Sequence, residues 1–121
     1  MDIVVINDLG DPEALAYLLK YDSVYGRYGK EISIKSEGDH KFLKIGDKEI
    51  MFLQEKDATK LPWGDLKFDI VVEATGVFES YEKAKVHIQS GAKRVVLTAP
   101  AKDDDNADAR TVLMGVNEEV L

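Results

Sequence analysis

A chain of 121 residues with 16 basic and 23 acidic side chains, a formal charge of −7 and no cysteine is one domain's worth of polypeptide, able to bury about two-thirds of its unfolded surface without a metal or disulfide. The acidic balance argues against wrapping a nucleic acid backbone, which calls for clustered Lys and Arg. The lack of thiols excludes a thiolate nucleophile, thiolate metal sites and disulfide staples from these residues, and fits a reducing, cytoplasmic setting.

Along the chain, the aliphatic run Ile3-Val4-Val5-Ile6 predicts a strand ending at Asn7-Asp8. It opens the sequence as an acidic strand and not as a basic stretch leading into an apolar one. No apolar run approaches the roughly 18 residues of a membrane span, so the chain is expected to be soluble and untargeted. Asp11 is expected to cap a helix with Pro12 in its first turn. That helix runs to about Tyr21, with Leu15, Leu18 and Leu19 on a single buried face. From Tyr21 to Gly29 two glycines and three tyrosines follow no period, which predicts an ordered loop.

From Glu31 to Leu53 the apolar residues fall into short strands, around Ile32 and Ile34, around Phe42, Leu43 and Ile45, and over Ile50 to Leu53. The turn at Gly46-Asp47-Lys48 is short enough to join the last two as a hairpin. Such an antiparallel excursion is expected to decorate a parallel sheet and not to form its core. Leu61-Pro62-Trp63-Gly64 interrupts the chain, with Trp63 as an amphipathic cover over an apolar edge.

The β-branched run from Phe68 to Gly76 suits a strand buried on both faces. A helix follows, with Ser80 as its N-cap, Lys83, Ala84, Val86 and His87 behind it, and a left-handed Gly91 at its end. A further strand spans Arg94 to Thr98, and a last one Thr111 to Met114. Strand, helix and strand in alternation predict an α/β fold with a mostly parallel sheet and the antiparallel hairpin as an excursion. Asp103-Asp104-Asp105 reads as a solvated loop, since no glycine-pivoted loop closed by a bidentate Glu follows as in a calcium site.

In an open α/β sheet, ligands occupy the crevice at the carboxyl ends of the strands. The residues there are Asn7-Asp8, Gln54-Glu55-Lys56, Thr75-Gly76-Val77-Phe78 and Thr98-Ala99-Pro100. Asp8 offers two acceptor oxygens to the two hydroxyls of an adenosine ribose and would repel a 2′-phosphate, although a strand-end Asp is also a routine turn residue. Gly76 lets backbone approach a flat ligand, and Phe78 either lies against adenine or fills the core. Thr98 supplies a hydroxyl, and Ala99 leaves room for a ring. In a Rossmann-like domain the ribose acid lies about 20 residues beyond a glycine-rich phosphate loop. Only Met1 and Asp2 precede the first strand here, so the chain reads as a partial nucleotide-binding domain without its first βα unit. His40 and His87 lack a nucleophile at useful spacing and read as surface or core histidines. Glu73, inside a strand run, is expected to pair with a neighbouring base, and no catalytic or metal-ligating residue is expected.

The phrases INDLGDPEALAYLLKYDSVYGRY, KLPWGDL, DIVVEATGVF, GAKRVVLTAPAK and VLMGVN, in this order, resemble the NAD-binding domain of phosphorylating glyceraldehyde-3-phosphate dehydrogenase over essentially the whole chain. Erythrose-4-phosphate dehydrogenase shares much of this half. The resemblance implies that Asp8 takes the adenosine ribose, that Asn7 borders the adenine side, and that Thr75, Gly76 and Phe78 line the adenine slot. It places Thr98 and Ala99 near the nicotinamide. Glu55 and Lys56 match a Glu-Arg pair in the family, and Lys56 keeps the charge of that Arg but not its planar fork.

The family's phosphate loop, Asn-Gly-Phe-Gly-Arg-Ile-Gly, has no match in these residues, and neither do its catalytic cysteine, base histidine or phosphate-binding residues. The resemblance therefore implies glycolytic oxidation of an aldehyde phosphate with hydride passing to NAD in the family, and a chain that is inactive alone and binds NAD weakly if at all. Two other readings are a complementing subunit of a split dehydrogenase and a non-catalytic interaction module that kept the fold. In the strand order 3-2-1-4-5-6 the first strand lies between the strand ending at Asp8 and the one ending at Gly76. Without it, the sheet is expected either to close directly across the gap or to take in a second chain, from a homo-oligomer or a complementing partner.

Overall fold

A computed structural model of the chain describes residues 2–120. They form two compact units, Met1–Lys56 and Asp57–Leu121. The architecture is mixed α/β, with two parallel strand pairings and an antiparallel run of three strands.

The first unit begins with β1 (Val5–Asn7) and α1 (Pro12–Lys20), continues through the short strands β2 (Tyr21–Asp22) and β3 (Gly26–Arg27), and ends with β4 (Ile32–Glu37), β5 (His40–Ile45) and β6 (Lys48–Leu53). Its main sheet has the order β1-β6-β5-β4, with β1 parallel to β6. As the sequence predicts, a two-residue turn joins β5 to β6. Ile45 pairs with Lys48, and Gly46 takes the positive φ of 58° that such tight turns require.

The hairpin run differs from its expected role as decoration. Ile32, Leu43 and Ile50, one from each strand, form the buried cluster of this unit with Ala16 of α1, and Ile6, Ile34 and Ile45 pack around them. In register, Leu43 faces Ile34 on one side and Ile50 on the other, giving a continuous apolar row across three strands.

The α1 helix starts as expected, with the Asp11 carboxylate accepting the Ala14 N–H at 2.9 Å and Pro12 in the first turn. Its buried face is smaller than predicted. Pro12 and Ala16 are buried and Leu15 half-buried, while Leu18 is 60% exposed and Leu19, on the last turn, is also exposed. Leu18 lies about 120° around the helix from Pro12 at 3.6 residues per turn, so it cannot share the face that small Ala16 brings against β4.

The expected loop after α1 is a tight ribbon of β2 and β3. Asp22 Oδ1 accepts the N–H groups of both Tyr25 and Val24 at 2.7 Å, and those donors hold the carboxyl below its ordinary range.

The second unit contains a 3-10 turn (Ala58–Lys60), the one-turn α2 (Trp63–Leu66), β7 (Ile70–Glu73), α3 (Tyr81–Gln89), β8 (Arg94–Leu97) and a final 3-10 turn (Glu118–Val120). The β7–α3–β8 segment is a parallel βαβ unit with Ile70 opposite Arg94 and Glu73 opposite Leu97. The predicted burial of β7 on both faces is corrected. Val71 and Glu73 are buried on the side that carries α3, whereas Ile70 and Val72, on the alternate face, are nearly half exposed. Trp63 is likewise no edge cover, since only 4% of it is exposed.

The predicted strand at Thr111–Met114 is absent. The side chain of Asn117 takes the backbone groups a strand neighbour would use, accepting the Leu113 N–H at 2.6 Å and donating to the Thr111 carbonyl at 3.0 Å. One of the two expected outcomes for the sheet also does not occur among the described residues: β1 and β7 belong to separate sheets, so no single sheet closes across them.

Candidate functional site

The carboxyl ends of β1 and β6 coincide, because Asn7 pairs with Leu53 in parallel register. Asn7 fastens this end: its Nδ2 donates to the Glu55 carbonyl at 3.0 Å and its Oδ1 accepts the Glu55 N–H at 2.9 Å. Both polar atoms of Asn7 are thus engaged by backbone, and Glu55 is held half-buried beside it. The Asp8 N–H extends the ladder to the Leu53 carbonyl at 3.0 Å. Asp8 itself is exposed, and its Oδ1 accepts the Gly10 N–H at 2.8 Å. Gln54 pins the same loop by donating to the Gly10 carbonyl at 3.0 Å. Gly10 has little room for a side chain, since a Cβ would stand 3.1 Å from Asp8 Oδ1 and from Leu15 Cδ1. Lys56 is exposed just beyond.

In the second unit the ends of β7 and β8 are tied at Thr98, whose N–H and hydroxyl both donate to the Glu73 carbonyl, at 3.1 and 3.3 Å. After β7 the chain turns through Thr75 to Phe78. The Glu73 carboxylate Oε1 accepts the Thr75 N–H at 2.7 Å and the Thr75 hydroxyl at 2.5 Å, and that hydroxyl oxygen in turn accepts the Val77 N–H at 3.1 Å. Gly76 has φ 72°, and no atom lies within 4 Å of where its Cβ would be. Phe78 is half-buried, its ring 5.2 Å from that of His87 in an edge arrangement. Ala99 is exposed. Behind this loop, His87 Nε2 lies 2.9 Å from Glu73 Oε2, as expected for a buried strand acid with a basic partner, and Trp63 Nε1 donates to His87 Nδ1 at 3.1 Å.

A carboxylate accepts about four hydrogen bonds, so Asp8 can take ribose hydroxyls while keeping Gly10. The bare backbone at Gly76 leaves space for a flat ring. No group of three or more His, Asp or Glu able to hold a metal ion occurs among the described residues. None of the described helices is long and apolar enough to cross a membrane.

A cap on α3 from the acidic run is missed in the sequence reading. Asp103 Oδ1 accepts the Tyr81 N–H at 2.8 Å and its Oδ2 the Glu82 N–H at 3.1 Å, while Ser80 Oγ accepts the Lys83 N–H at 3.2 Å. The run is an exposed loop at Asp104 and Asp105, as expected, and Asp103 adds a second cap whose only local sign is acidity at a fixed distance from Ser80. Ser80→Ala should lower stability by about 1 kcal/mol in urea unfolding at neutral pH.

Burial pushes the Asp103 carboxyl up, but the Tyr81 and Glu82 N–H groups, with the Lys85 charge, outweigh it and leave it below the ordinary range. Its contribution is complete above the unfolded carboxylate value of about 3.9, and it is lost as pH falls through the lower, folded value. Asp103→Asn is therefore expected to flatten the loss of stability between neutral and strongly acidic pH in the same assay. An acid dependence equal to that of the unaltered chain would exclude the cap.

Residues 1–81 match the model of the family described as glyceraldehyde 3-phosphate dehydrogenase, NAD binding domain. Among curated relatives, the glyceraldehyde-3-phosphate dehydrogenase of Thermotoga maritima is 48% identical over 121 residues, covering 100% of this chain and 34% of the relative. That of Clostridium acetobutylicum is 46% identical over 121 residues, with the same coverage. That of Geobacillus stearothermophilus is 44% identical over 119 residues, covering 98% of this chain and 33% of the relative. The chain spans about a third of the length of the relatives it matches.

Proposed function

This chain belongs to the glyceraldehyde 3-phosphate dehydrogenase NAD-binding domain family, and from that membership we propose that residues 1–121 are the part of an oxidoreductase that grips NAD. NAD, when bound, accepts the hydride released as an aldehyde phosphate is oxidised. Glyceraldehyde 3-phosphate is the proposed substrate of the whole enzyme, with erythrose 4-phosphate as the alternative.

Asp8 accepts the two hydroxyls of the adenosine ribose, and Asn7 keeps that carboxylate and Glu55 at the shared strand end. Thr75, Gly76 and Phe78 take the adenine, Glu55 and Lys56 border it, and Thr98 with Ala99 stands on the nicotinamide side. The chain carries no cysteine, so hydride transfer through a thiohemiacetal needs a nucleophile from outside these residues. We place the protein in the cytoplasm and expect it to assemble, as a homo-oligomer or with a chain supplying a phosphate loop. The exposed Val24 and Tyr25 of the β2–β3 ribbon favour such an assembly.

The observation that carries the reading is Asp8, an exposed carboxylate steered by the Gly10 N–H at the joint end of two parallel strands. Without the phosphate loop the affinity is expected to be weak, and calorimetric titration with NAD and with adenosine diphosphate ribose at millimolar ligand is expected to show saturable binding. Asp8→Ala should weaken it about tenfold to a hundredfold, the weight of hydrogen bonds to a charged group. Equal affinity in the variant, or no heat at millimolar NAD, would rule the reading out.

A further inference from the structure

We propose that Trp63, His87 and Glu73 form a buried relay of fixed hydrogen-bond polarity that sets the Thr75–Phe78 loop, which makes His87 and Glu73 positioning residues for the adenine slot. The inference rests on the adenine-binding reading of that loop. The three side chains are 4%, 3% and 6% exposed, so none of them can touch a substrate.

The direction of every bond follows from the first. An indole N–H only donates, so His87 Nδ1, its partner, must be the bare acceptor nitrogen. The neutral ring then carries its proton on Nε2 and donates to Glu73 Oε2. Glu73 meets donors at both oxygens, Nε2–H of His87 at one and the Thr75 N–H and hydroxyl at the other, an arrangement that calls for a carboxylate. Having donated to Glu73, the Thr75 hydroxyl still has lone pairs, and one of them takes the Val77 N–H. Two donor chains thus converge on the Glu73 carboxylate, one from the indole through His87 and one from the Val77 N–H through the Thr75 hydroxyl, and no buried side-chain polar atom among the described residues lacks a partner.

The far end of the loop leans on the same pair, through the edge contact of Phe78 with His87. A buried carboxylate and imidazole are a costly way to fill space, and apolar side chains of like volume often pack more stably. What this pair adds is a direction that apolar packing lacks: it holds Thr75 at one end of the loop and Phe78 at the other, leaving Gly76 open between them.

Glu73→Gln tests the polarity because it keeps the shape and replaces one acceptor by a donor. Whichever way the amide turns, an N–H meets either the Thr75 donors or the Nε2–H of His87. Amide exchange at Thr75 and Val77 should lose protection, and NAD affinity should fall about tenfold to a hundredfold. Adding Trp63→Phe removes the indole N–H and lets His87 move its proton to Nδ1, so that Nε2 accepts from the new amide. The double variant should regain loop protection and affinity relative to Glu73→Gln alone.

Nitrogen-15 spectra of His87 should report protonated Nε2 in the unaltered protein and protonated Nδ1 in the double variant. Protonated Nδ1 in the unaltered protein, or full loop protection and affinity in Glu73→Gln, would overturn the relay. Should Glu73→Gln fail to fold, Thr75→Val decides: loss of Val77 protection with the His87 tautomer unchanged supports the relay, and retained protection overturns it. The spectra and exchange rates are recorded without nucleotide. If the unaltered protein takes up no NAD, the adenine reading falls, while those two measurements still sustain or overturn the hold of the relay on the loop.

Discussion

Alanine at Gly91 is expected to cost about 2–5 kcal/mol, combining roughly 1–2 kcal/mol for an L side chain in left-handed backbone with roughly 1–3 kcal/mol for overpacking. Gly91 ends α3 with φ 102°, its N–H bonded to the Ile88 carbonyl at 2.9 Å. A Cβ there would stand 2.4 Å from Gly64 Cα and 2.5 Å from Gly64 N. Those are backbone atoms, held by the Gly64 N–H donating to the Ser90 carbonyl at 3.0 Å, so no side chain can swing away to make room. The glycine does two jobs: it turns the helix end and lets the first turn of α2 touch it.

Gly76 separates the two effects, since its φ is 72° with open space above it. Gly76→Ala should cost only the backbone part, about 1–2 kcal/mol. Urea unfolding followed by the fluorescence of Trp63, the sole tryptophan, measures both variants. Equal losses in the two would mean that the α2–α3 contact is not as close as described.

The features legible in the sequence were those fixed within a few residues. Asp11 and Ser80 cap their helices because the N–H groups they accept lie three residues on. Gly46 and Gly91 were foreseeable for the same reason, each at a turn that L side chains resist. Strand existence was also readable for β4 to β8, but which faces are buried was not. Val72 looks as apolar as Val71, and only the placement of α3 on one side of β7 distinguishes them. Thr111 to Met114 carry strand-like residues, yet Asn117 supplies a competing set of hydrogen bonds that no propensity reveals.

At the candidate site the strand-end residues could be picked out, whereas their hydrogen-bond partners could not. Asn7 and Glu55 are 48 residues apart, and Thr98 reaches Glu73 across 25. The pairing of Glu73 with a base was foreseeable, because an acid in a buried strand needs a partner. That the partner is His87, and that Trp63 completes the row, depends on how α2 and α3 pack.

The packing of Trp63 leads to the other large effect. Trp63→Ala is expected to cost about 3–5 kcal/mol for the cavity left by a buried indole. A further loss of about 1–3 kcal/mol should follow from leaving His87 Nδ1 without its donor. A typical domain has only about 5–15 kcal/mol of stability to lose, so this variant should be largely unfolded at moderate urea by far-ultraviolet circular dichroism. Trp63→Phe divides the total. It keeps an aromatic ring beside Phe68, now 5.5 Å from the indole, and deletes the N–H, so it should show mainly the smaller, hydrogen-bond loss. If alanine cost under about 1 kcal/mol, the indole would not be core at all. If phenylalanine were as damaging as alanine, the N–H bond to His87 would outweigh the packing. A large gap between the two, with a measurable loss in phenylalanine, is the result that a buried ring whose one polar atom is fully engaged must give.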